Sequence, residues 1–549
     1  MDTRRLILFV IFSFSIMMLW DAWQQNSNPV IDPKVTAQTA PAAANGAITA
    51  TEDVNGSTQT IVNDGSFKLT SGQRIKVKTD LFEAEIDTVG GDLRRLLLTK
   101  HAASQSKDGQ FVLMDDAFKP MFYVAQSGLM GAGLPNHKSL FTTTNNSYNL
   151  ADGQASQEVR LSWAGNGVNV DKIYTFHRNS YVIDVRYQIN NASSAAVMPS
   201  AYYQIVHDSE SNQGSMMMPT FTGGAYYTEA DKFKKIKFGD MDEANLSKTT
   251  KDGWVGLVQH YFASAWIPAT GVEREFYTKK LSDNIFAVGV VTPNPSIAAG
   301  SSAEIGAKLF AGPQIEEELT KAAPGLEYTV DYGWLTIIAK PLFWVLSKIN
   351  DVVNNWGVAI ILLTILIKAV FFPLSAASYK SMAQMRELAP RLQSMKEKFG
   401  DDKQKMQQAM LEMYRTEKIN PMGGCLPIIV QIPVFIALYW VLLASVELRH
   451  APFFGWIQDL SATDPWFILP ILMGATMIIQ TYLNPAPTDP IQAKVMKVMP
   501  VVFSVFFFFF PAGLVLYWLV NNILSIAQQW YVNKTIHAAA LAKKGNIKK

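Results

Sequence analysis

Lys368 is a single cation within an apolar run from Gly357 to Pro373 that is long enough to cross most of a bilayer. A charged side chain near the middle of a spanning helix costs about 2.5–3.5 kcal/mol on insertion scales, so it normally faces a polar interior or a water-filled cavity. Thr364 lies one helical turn earlier, on the same helical face. The alternative is a lysine that snorkels toward the headgroups beyond Pro373. Polar residues in other apolar runs favour the first interpretation.

The last apolar run carries uncharged polar residues at helical spacing. Four of them are separated by four, four and three residues and therefore share one helical face: Tyr517, Asn521, Ser525 and Gln528. Asn522 and Gln529 widen this polar stripe, and Gln431 lies within another run. Polar groups in a bilayer commonly join helices through hydrogen bonds worth about 0.6 kcal/mol on average. A lysine with amides and hydroxyls from three runs exceeds that need, so we predict a hydrophilic space inside the membrane.

The composition predicts a membrane protein with six spanning helices. Hydrophobic residues make up 49% of the chain and charged residues 17%, which is low in charge for a soluble protein. Arg4 and Arg5 precede an apolar stretch with no cleavage pattern behind it, which predicts an N-terminal transmembrane anchor at residues 1–24. Five later runs are each near the length of a spanning helix: residues 357–374, 422–446, 466–483, 495–510 and 512–532.

The distribution of Lys and Arg predicts the orientation of these helices. The connection at residues 375–420 is rich in both, whereas the connection from Glu447 to Pro465 has only Arg449 as a fixed cation. Positive-inside bias places the first connection in the cytoplasm and the second outside. Both termini are then cytoplasmic, with a basic cytoplasmic tail at residues 534–549, and the long segment from Asp21 to about Asp331 is exported.

The exported part divides into segments of different composition. Residues 25–60 are small and polar, which is typical of a flexible linker. Residues 61–330 show strand-like alternation, clearest between Tyr181 and Ile189, together with glycine-containing turns, so we predict a large antiparallel β-sandwich. Residues 331–355 form an apolar helical face and predict an interfacial amphipathic helix. Without a cysteine, this exported part must rely on core burial.

Five histidines are scattered through the exported part: His101, His137, His177, His207 and His260. Asp208 and Glu210 adjoin His207, and these three residues could form an acid–base or metal cluster. Metal sites usually show tighter motifs, so we interpret the histidines as surface turn residues and expect neither a metal nor a catalytic residue. Cys425, the only thiol, is interpreted as a small buried hydrophobic residue.

The cytoplasmic connection at residues 375–420 predicts a hairpin of two helices broken at Gly400–Asp402. Methionines recur on one face of each helix: Met382, Met385, Met395, Met406, Met410 and Met413. These faces could simply pack together, but methionine also suits surfaces that accept many apolar sequences. They are therefore candidate substrate contacts. The run Phe506–Phe510 is expected to face lipid.

Three segments carry motifs that are more specific than these patterns. They are Thr364-x-x-x-Lys368 followed by Phe372-Pro373-Leu374, the segment Asn420-Pro421-Met422-Gly423-Gly424-Cys425-Leu426-Pro427 with Gln431 and Pro433, and the segment from Phe510-Pro511-Ala512-Gly513 to Tyr517-Trp518. Together they resemble the YidC membrane protein insertases of Gram-negative bacteria. The resemblance covers essentially the whole chain, because anchor, linker, exported domain and helical core occur in the same order.

The resemblance implies an α+β membrane protein with six transmembrane helices, the anchor plus a five-helix insertase core at residues 356–533, and a periplasmic β-supersandwich similar to sugar mutarotases. It also implies a hydrophilic groove, open to cytoplasm and lipid, in which Lys368 is the cation and Thr364, Gln431 and Tyr517 lie beside it. The family usually has Arg at position 368 and often a second Tyr where Trp518 stands. Lysine keeps the charge but loses the planar fork of a guanidinium group.

The family function is to insert, fold and help assemble proteins of the bacterial inner membrane, alone or with the Sec translocon, without enzymatic chemistry or a cofactor. The implied partners are nascent inner-membrane proteins, the lipid bilayer, the Sec translocon with its accessory subunits, and the ribosome at the cytoplasmic loops and basic tail; no nucleic-acid substrate is implied. One alternative is a transporter or channel that uses the polar pathway, although no inverted repeat is evident. Another is an exported carbohydrate enzyme, suggested by fold resemblance alone.

Overall fold

The computed structural model describes residues 69–103, 109–117, 121–209, 220–399, 402–417, 426–483 and 490–546. The predicted anchor at 1–24, the predicted linker at 25–60, Glu210 and Cys425 lie outside these residues, as does most of the glycine-rich motif at 420–427. The described residues form a β-rich part followed by a helical part.

Two large sheets make up the β-rich part of the described chain. The first has the order β13-β16-β17-β10-β5-β3-β2-β1-β6, with β4 paired to β3, and the second has the order β12-β11-β14-β15-β18-β9-β8-β7. Neighbouring strands pair antiparallel, except that β1 and β6 are parallel. The predicted β-sandwich is therefore confirmed.

The strands of the first sheet are β1 (Arg74–Lys78), β2 (Phe82–Asp87), β3 (Asp92–Ala102), β4 (Gln110–Met114), β5 (Tyr123–Met130), β6 (Ser147–Asn149), β10 (Ser200–Asp208), β13 (Ser247–Thr250), β16 (Arg274–Ser282) and β17 (Ile285–Pro293). Those of the second are β7 (Ser156–Gly165), β8 (Val168–His177), β9 (Val182–Asn191), β11 (Gly223–Thr228), β12 (Lys232–Ile236), β14 (Trp254–Val258), β15 (Phe262–Pro268) and β18 (Ser302–Pro313).

The alternation along β9 shows why this sequence forms a sandwich. Ile183, Val185, Tyr187 and Ile189 are buried, while the residues between them are half-buried or exposed. Successive side chains of a strand point to opposite faces, so a period of two buries one face against the other sheet. Trp254 and Trp266 are almost fully buried in the same core.

The helices are α1 (Phe238–Glu243), α2 (Glu316–Ala322), α3 (Thr336–Val353), α4 (Trp356–Val370), α5 (Phe372–Glu387), α6 (Ala389–Phe399), α7 (Lys403–Thr416), α8 (Leu426–Ala444), α9 (Ile468–Leu483), α10 (Pro490–Phe506) and α11 (Ala512–Asn546). Within the described residues, no single helix is both long and apolar enough to cross a membrane. The pair Trp356–Val370 and Phe372–Met385, bent by 67°, meets the criterion of length and composition when taken together.

The predicted cytoplasmic hairpin was wrong in its number of helices. Residues 375–417 contain parts of three helices, because α5 ends before Leu388 and α6 begins at Ala389. Pro390 explains this break, since it has no N–H to continue the hydrogen bonds of the preceding helix and fits the first turn of a new one. An ion pair of 2.6 Å between Arg391 and Glu417 links α6 to the end of α7.

The prediction that Phe506–Phe510 faces lipid was also wrong for part of the run. The helix α10 ends at Phe506 and a single turn of 3₁₀-helix follows at Phe507–Phe509. Phe507 and Phe510 are buried, whereas Phe509 is exposed. Successive side chains of a helix point about 100° apart, so five consecutive rings surround it and only part of the run forms an outer surface.

Several polar contacts fasten the sandwich to the helical part. Lys340 of α3 forms an ion pair of 2.8 Å with Glu316 of α2, and Lys235 of β12 pairs with Asp331. Arg449, which follows α8, donates to the carbonyl oxygens of Ala102 at 2.8 Å and of Ala103 at 3.3 Å. Its guanidinium group also lies over the rings of Phe111 and Phe262, at 5.1 and 5.7 Å from their centroids.

Candidate functional site: a polar cluster around Lys368

The ends of the helices that carry the predicted site are fixed by specific hydrogen bonds. The side chain of Asn355 caps α4 by accepting from the Val358 N–H at 3.0 Å. The first N–H groups of α11, from Ala512 and Gly513, donate to the carbonyls of Ala462 and Leu460 at 2.7 and 2.9 Å. These bonds satisfy N–H donors that have no partner within the first turn of a helix, and they fix the position of each helix along its axis.

Asp464 fixes the start of α9 from the connection between α8 and α9. Its buried carboxylate accepts hydrogen bonds from the Trp456 indole at 3.0 Å, from the Trp466 N–H at 3.0 Å and from the Leu469 N–H at 2.7 Å. A carboxylate at a helix N-terminus also interacts favourably with the helix dipole. This connection and the helix after it are therefore rigidly joined.

Lys368 lies at one end of a chain of hydrogen bonds between three helices. Its Nζ donates to Oγ of Ser525 at 2.8 Å, and that hydroxyl donates to the carbonyl oxygen of Asn521 at 2.7 Å. The Gln431 amide of α8 donates to Oδ1 of Asn521 at 2.5 Å. Lys368, Gln431, Asn521 and Ser525 are thus brought together by these bonds.

The remaining members of the predicted cluster lie at its margins. Thr364 is buried, but its hydroxyl donates to the Ile360 carbonyl of its own helix at 2.6 Å. Gln528 is buried and its amide donates to the Phe372 carbonyl at 3.3 Å, where α4 turns into α5. The hydroxyl of Tyr517 is buried close to the Gln431 amide.

Trp518 lies among aromatic rings. Its indole packs edge-on to Phe435, with 4.3 Å between centroids, and lies 5.2 Å from the ring of Phe507. Phe435 in turn stacks near Tyr517, at 6.1 Å. These aromatic rings therefore border the polar cluster on the side nearer the start of α11.

Asn522 and Gln529 contact a different helix from the one that their spacing suggested. The Asn522 amide donates to the Thr476 hydroxyl at 3.4 Å, and the Gln529 amide donates to the Leu483 carbonyl at 3.3 Å. Both partners lie on α9. The interpretation that these two residues widen the stripe beside Lys368 was therefore wrong, because they join α11 to α9.

The sequence analysis missed the polar face of α5. Ser375 and Ser378 are buried there, and Tyr379 interacts through its hydroxyl with Ser525, which also holds Lys368. The spacing of three and four residues after Ser375 was visible in the sequence and places all three on one helical face. The bend between α4 and α5 brings that face back toward the cluster.

Lys368 has no carboxylate partner in the described part of the chain. Its hydrogen bond goes to a neutral hydroxyl, and burial is the influence that dominates its environment. A desolvated cation without a counter-ion can attract an acidic group from outside the protein, because the interaction strengthens as the effective dielectric constant falls. The cluster can bind and position a polar or acidic segment.

The candidate methionines between residues 375 and 420 lie on three helices. Met382 and Met385 are on α5, Met395 is on α6, and Met406, Met410 and Met413 are on α7. All six are half-buried, so their side chains pack against the protein and retain some exposure. They remain candidate contacts with a flexible apolar partner.

The interpretation of the exported histidines as surface turn residues was wrong for His207. This residue lies on the strand β10, is fully buried and approaches the Gln259 amide at 3.2 Å through Nε2. His177 lies at the end of β8, 2.7 Å from the carboxylate of Asp184. No group of three potential metal-ligating side chains occurs among the residues that the structure describes.

A buried ionic cluster, which no sequence pattern indicated, lies in the sandwich. Lys172, Asp92 and Arg94 are almost fully inaccessible, and Lys172 donates to the Gly90 and Ser127 carbonyls at 3.0 Å. Burial raises the pKa of Asp92, and burial lowers the pKa of Lys172. Strands remote in sequence supply this cluster, so local patterns could not predict it.

Two family models that match the chain define its class, an inner-membrane protein with a periplasmic domain. Residues 74–345 match the family model described as YidC periplasmic domain, and residues 348–539 match the model described as 60Kd inner membrane protein. The chain belongs to the YidC family.

Curated relatives match over their full length. Membrane protein insertase YidC from Methylobacillus flagellatus is 65% identical, with 100% of both chains covered. The protein of the same name from Aromatoleum aromaticum is 52% identical, with 98% of both covered. A solved structure titled as an active YidC insertase with the first transmembrane domain resolved is 20% identical, covers 84% of this chain and 93% of its own, and has a TM-score of 0.40.

Proposed function

We propose that this protein inserts other proteins into the bacterial inner membrane. The polar cluster holds the hydrophilic end or loop of a nascent membrane protein while the adjacent apolar segment moves sideways into lipid. The observation that carries this proposal is Lys368, a partly buried cation held by the Ser525 hydroxyl without a counter-ion among the described residues. No covalent bond is made or broken in this process.

The groups around Lys368 suit transient binding. Gln431, Asn521 and Ser525 are uncharged, so each can exchange its present hydrogen bond for one to a passing peptide or to water. A substrate carboxylate 4 Å from Lys368 would gain between about 1 kcal/mol in water and about 4 kcal/mol at an effective dielectric constant of 20. That range attracts an acidic segment without trapping it.

The proposed topology places both termini in the cytoplasm and the sandwich in the periplasm, with six crossings of the inner membrane. Positive-inside bias supports it, because Lys and Arg are concentrated in residues 375–420 and in the tail at 534–549. The half-buried methionines of α5, α6 and α7 would meet apolar parts of the substrate. The ribosome would meet the cytoplasmic loops and tail, and the Sec translocon would share part of the substrate load.

Insertion into liposomes that contain only the full-length purified protein tests the proposal. Lys368→Met should slow insertion of a substrate with an acidic leading segment by about fivefold or more, as expected for the loss of a charge interaction of about 1–4 kcal/mol. Lys368→Arg should retain most of the rate, because it keeps the charge. A substrate whose leading acids are changed to amides serves as control and should be much less sensitive to Lys368→Met.

Equal insertion by the wild type and Lys368→Met, with both folded to the same extent, would contradict the role of the lysine. Ion flux through the reconstituted protein without insertion of any substrate would instead favour the transporter or channel alternative, since a polar intramembrane pathway is common to both classes.

A further inference from the structure

A polar cavity lies where the sandwich meets the connection between α8 and α9. It has a volume of about 520 Å³, within the range of pockets that hold small molecules or headgroups. The strands β3 and β4 supply one wall and the segment after α8 supplies the other. The described residues that line it are Thr99, Lys100, His101, Ala102, Gly109, Gln110, Arg449 and His450.

The charge of this lining is positive. Lys100 and Arg449 are fixed cations, and none of the described lining residues is a carboxylate. Asp459 lies outside the described lining, 2.9 Å from Nδ1 of His450, and its charge also acts on Arg449. Desolvation, with repulsion from Arg449, His450 and Lys100, lowers the pKa of His101 to about 4. An anion in the cavity would relieve that repulsion.

The donors that face the cavity are not all in use. Arg449 spends two N–H groups on the Ala102 and Ala103 carbonyls, and a guanidinium group has five. Gln110 has its Oε1 buried without a hydrogen-bond partner among the described residues. A half turn of that amide would present its NH₂ group to the cavity instead. A buried polar atom left in this way usually marks a place for water, an ion or a ligand.

We propose that this cavity binds a phosphate group. A phosphate group is complementary to this lining, because its several oxygens can accept hydrogen bonds from Arg449, Lys100 and the Gln110 amide together. The source is either the headgroup of an anionic phospholipid, for which a site just beyond the end of α8 is well placed, or a free phosphate. Binding would bridge the sandwich and the helical part.

Two binding measurements on the full-length protein in neutral detergent test this proposal. The first is titration calorimetry with inorganic phosphate at constant ionic strength. The second is native mass spectrometry after addition of phosphatidylglycerol, compared with a diacylglycerol of the same acyl chains that lacks the phosphate. Lys100→Gln should weaken binding about tenfold, as for the loss of one hydrogen bond to a charged group.

Lys100→Arg should restore binding, and Lys251→Gln, at an exposed lysine elsewhere on the sandwich, should leave it unchanged. Binding of phosphate that depends on Lys100 supports a site for the free anion, and retention of phosphatidylglycerol alone with the same dependence supports a headgroup site. Absence of both, or binding that Lys100→Gln does not change while the variant melts like the wild type, overturns the proposal.

Discussion

Glu447 should make the stability of this protein depend on pH in a direction opposite to that of an ordinary carboxylate. Burial, with the nearby charge of Glu316, raises the pKa of Glu447 from its usual 4.5 to about 7. The folded state therefore holds a proton between pH 4.5 and 7 that the unfolded state has released, and stability falls as the pH rises through this interval. Above pH 7 the full penalty applies.

The magnitude follows from the difference between the two pKa values. Each pKa unit corresponds to about 1.36 kcal/mol, so the penalty at pH 8 is at most about 3 kcal/mol, and somewhat less because Glu447 keeps some solvent exposure. Glu447→Gln removes the ionisation and keeps the shape. This variant should match the wild type near pH 5 and be clearly more stable at pH 8.

Thermal unfolding of the full-length protein in detergent, followed by tryptophan fluorescence between pH 5 and 8, measures this difference. The control is Glu273→Gln, because Glu273 is exposed on the sandwich and its replacement should have little effect at either pH. A difference between wild type and Glu447→Gln that stays constant from pH 5 to pH 8 would refute the reasoning.

Three further predictions concern packing and hydrogen bonds. Gly357→Ala places a Cβ 2.1 Å from Cδ2 of Phe453, so it should lower the free energy of unfolding by about 1–3 kcal/mol. The control is Gly239→Ala, where no heavy atom lies within 4 Å of the added Cβ. Asp464→Ala leaves its three donors unsatisfied and should cost about 3 kcal/mol or more; faster proteolysis near residue 464 is the second readout, and an unchanged melting temperature would contradict it. A double-mutant cycle with Gln431→Leu and Asn521→Leu, measured on the free energy of unfolding, should give a coupling energy of about 0.6–1.7 kcal/mol. A coupling energy of zero would show that the hydrogen bond does not stabilise the contact between α8 and α11.

The sandwich and the centre of the polar cluster could be predicted because their signals are local. Alternation with period two identifies β9 whatever its neighbours are. The spacing of Asn521 and Ser525 likewise gives their common direction on a helix. A second helix with its own polar residue is then enough to suggest that the two faces meet.

The wrong predictions concern residues whose surroundings are set by a helix or strand remote in sequence. Helical spacing gives the direction of Asn522 but not that Thr476 of α9 lies there. His207 is buried because Tyr123, Phe238 and Gln259 pack around its ring, and no local pattern could reveal these contacts. The breaks near Val370 and Leu388 are different, since Pro373 and Pro390 follow them closely and could have been used.

The contacts of Arg449, Lys340 and Asp331 have a consequence for experiments that delete the exported domain. Such a truncation removes the aromatic platform and the two carbonyls under Arg449, and it takes Lys235 away from Asp331. The helical part then loses these contacts, and the surface that the sandwich covered is exposed to water. A loss of activity after truncation would therefore have two possible causes, the missing domain and the altered surface of the remaining helices, and Arg449→Gln in the full-length protein would show how much the lost contacts of Arg449 contribute.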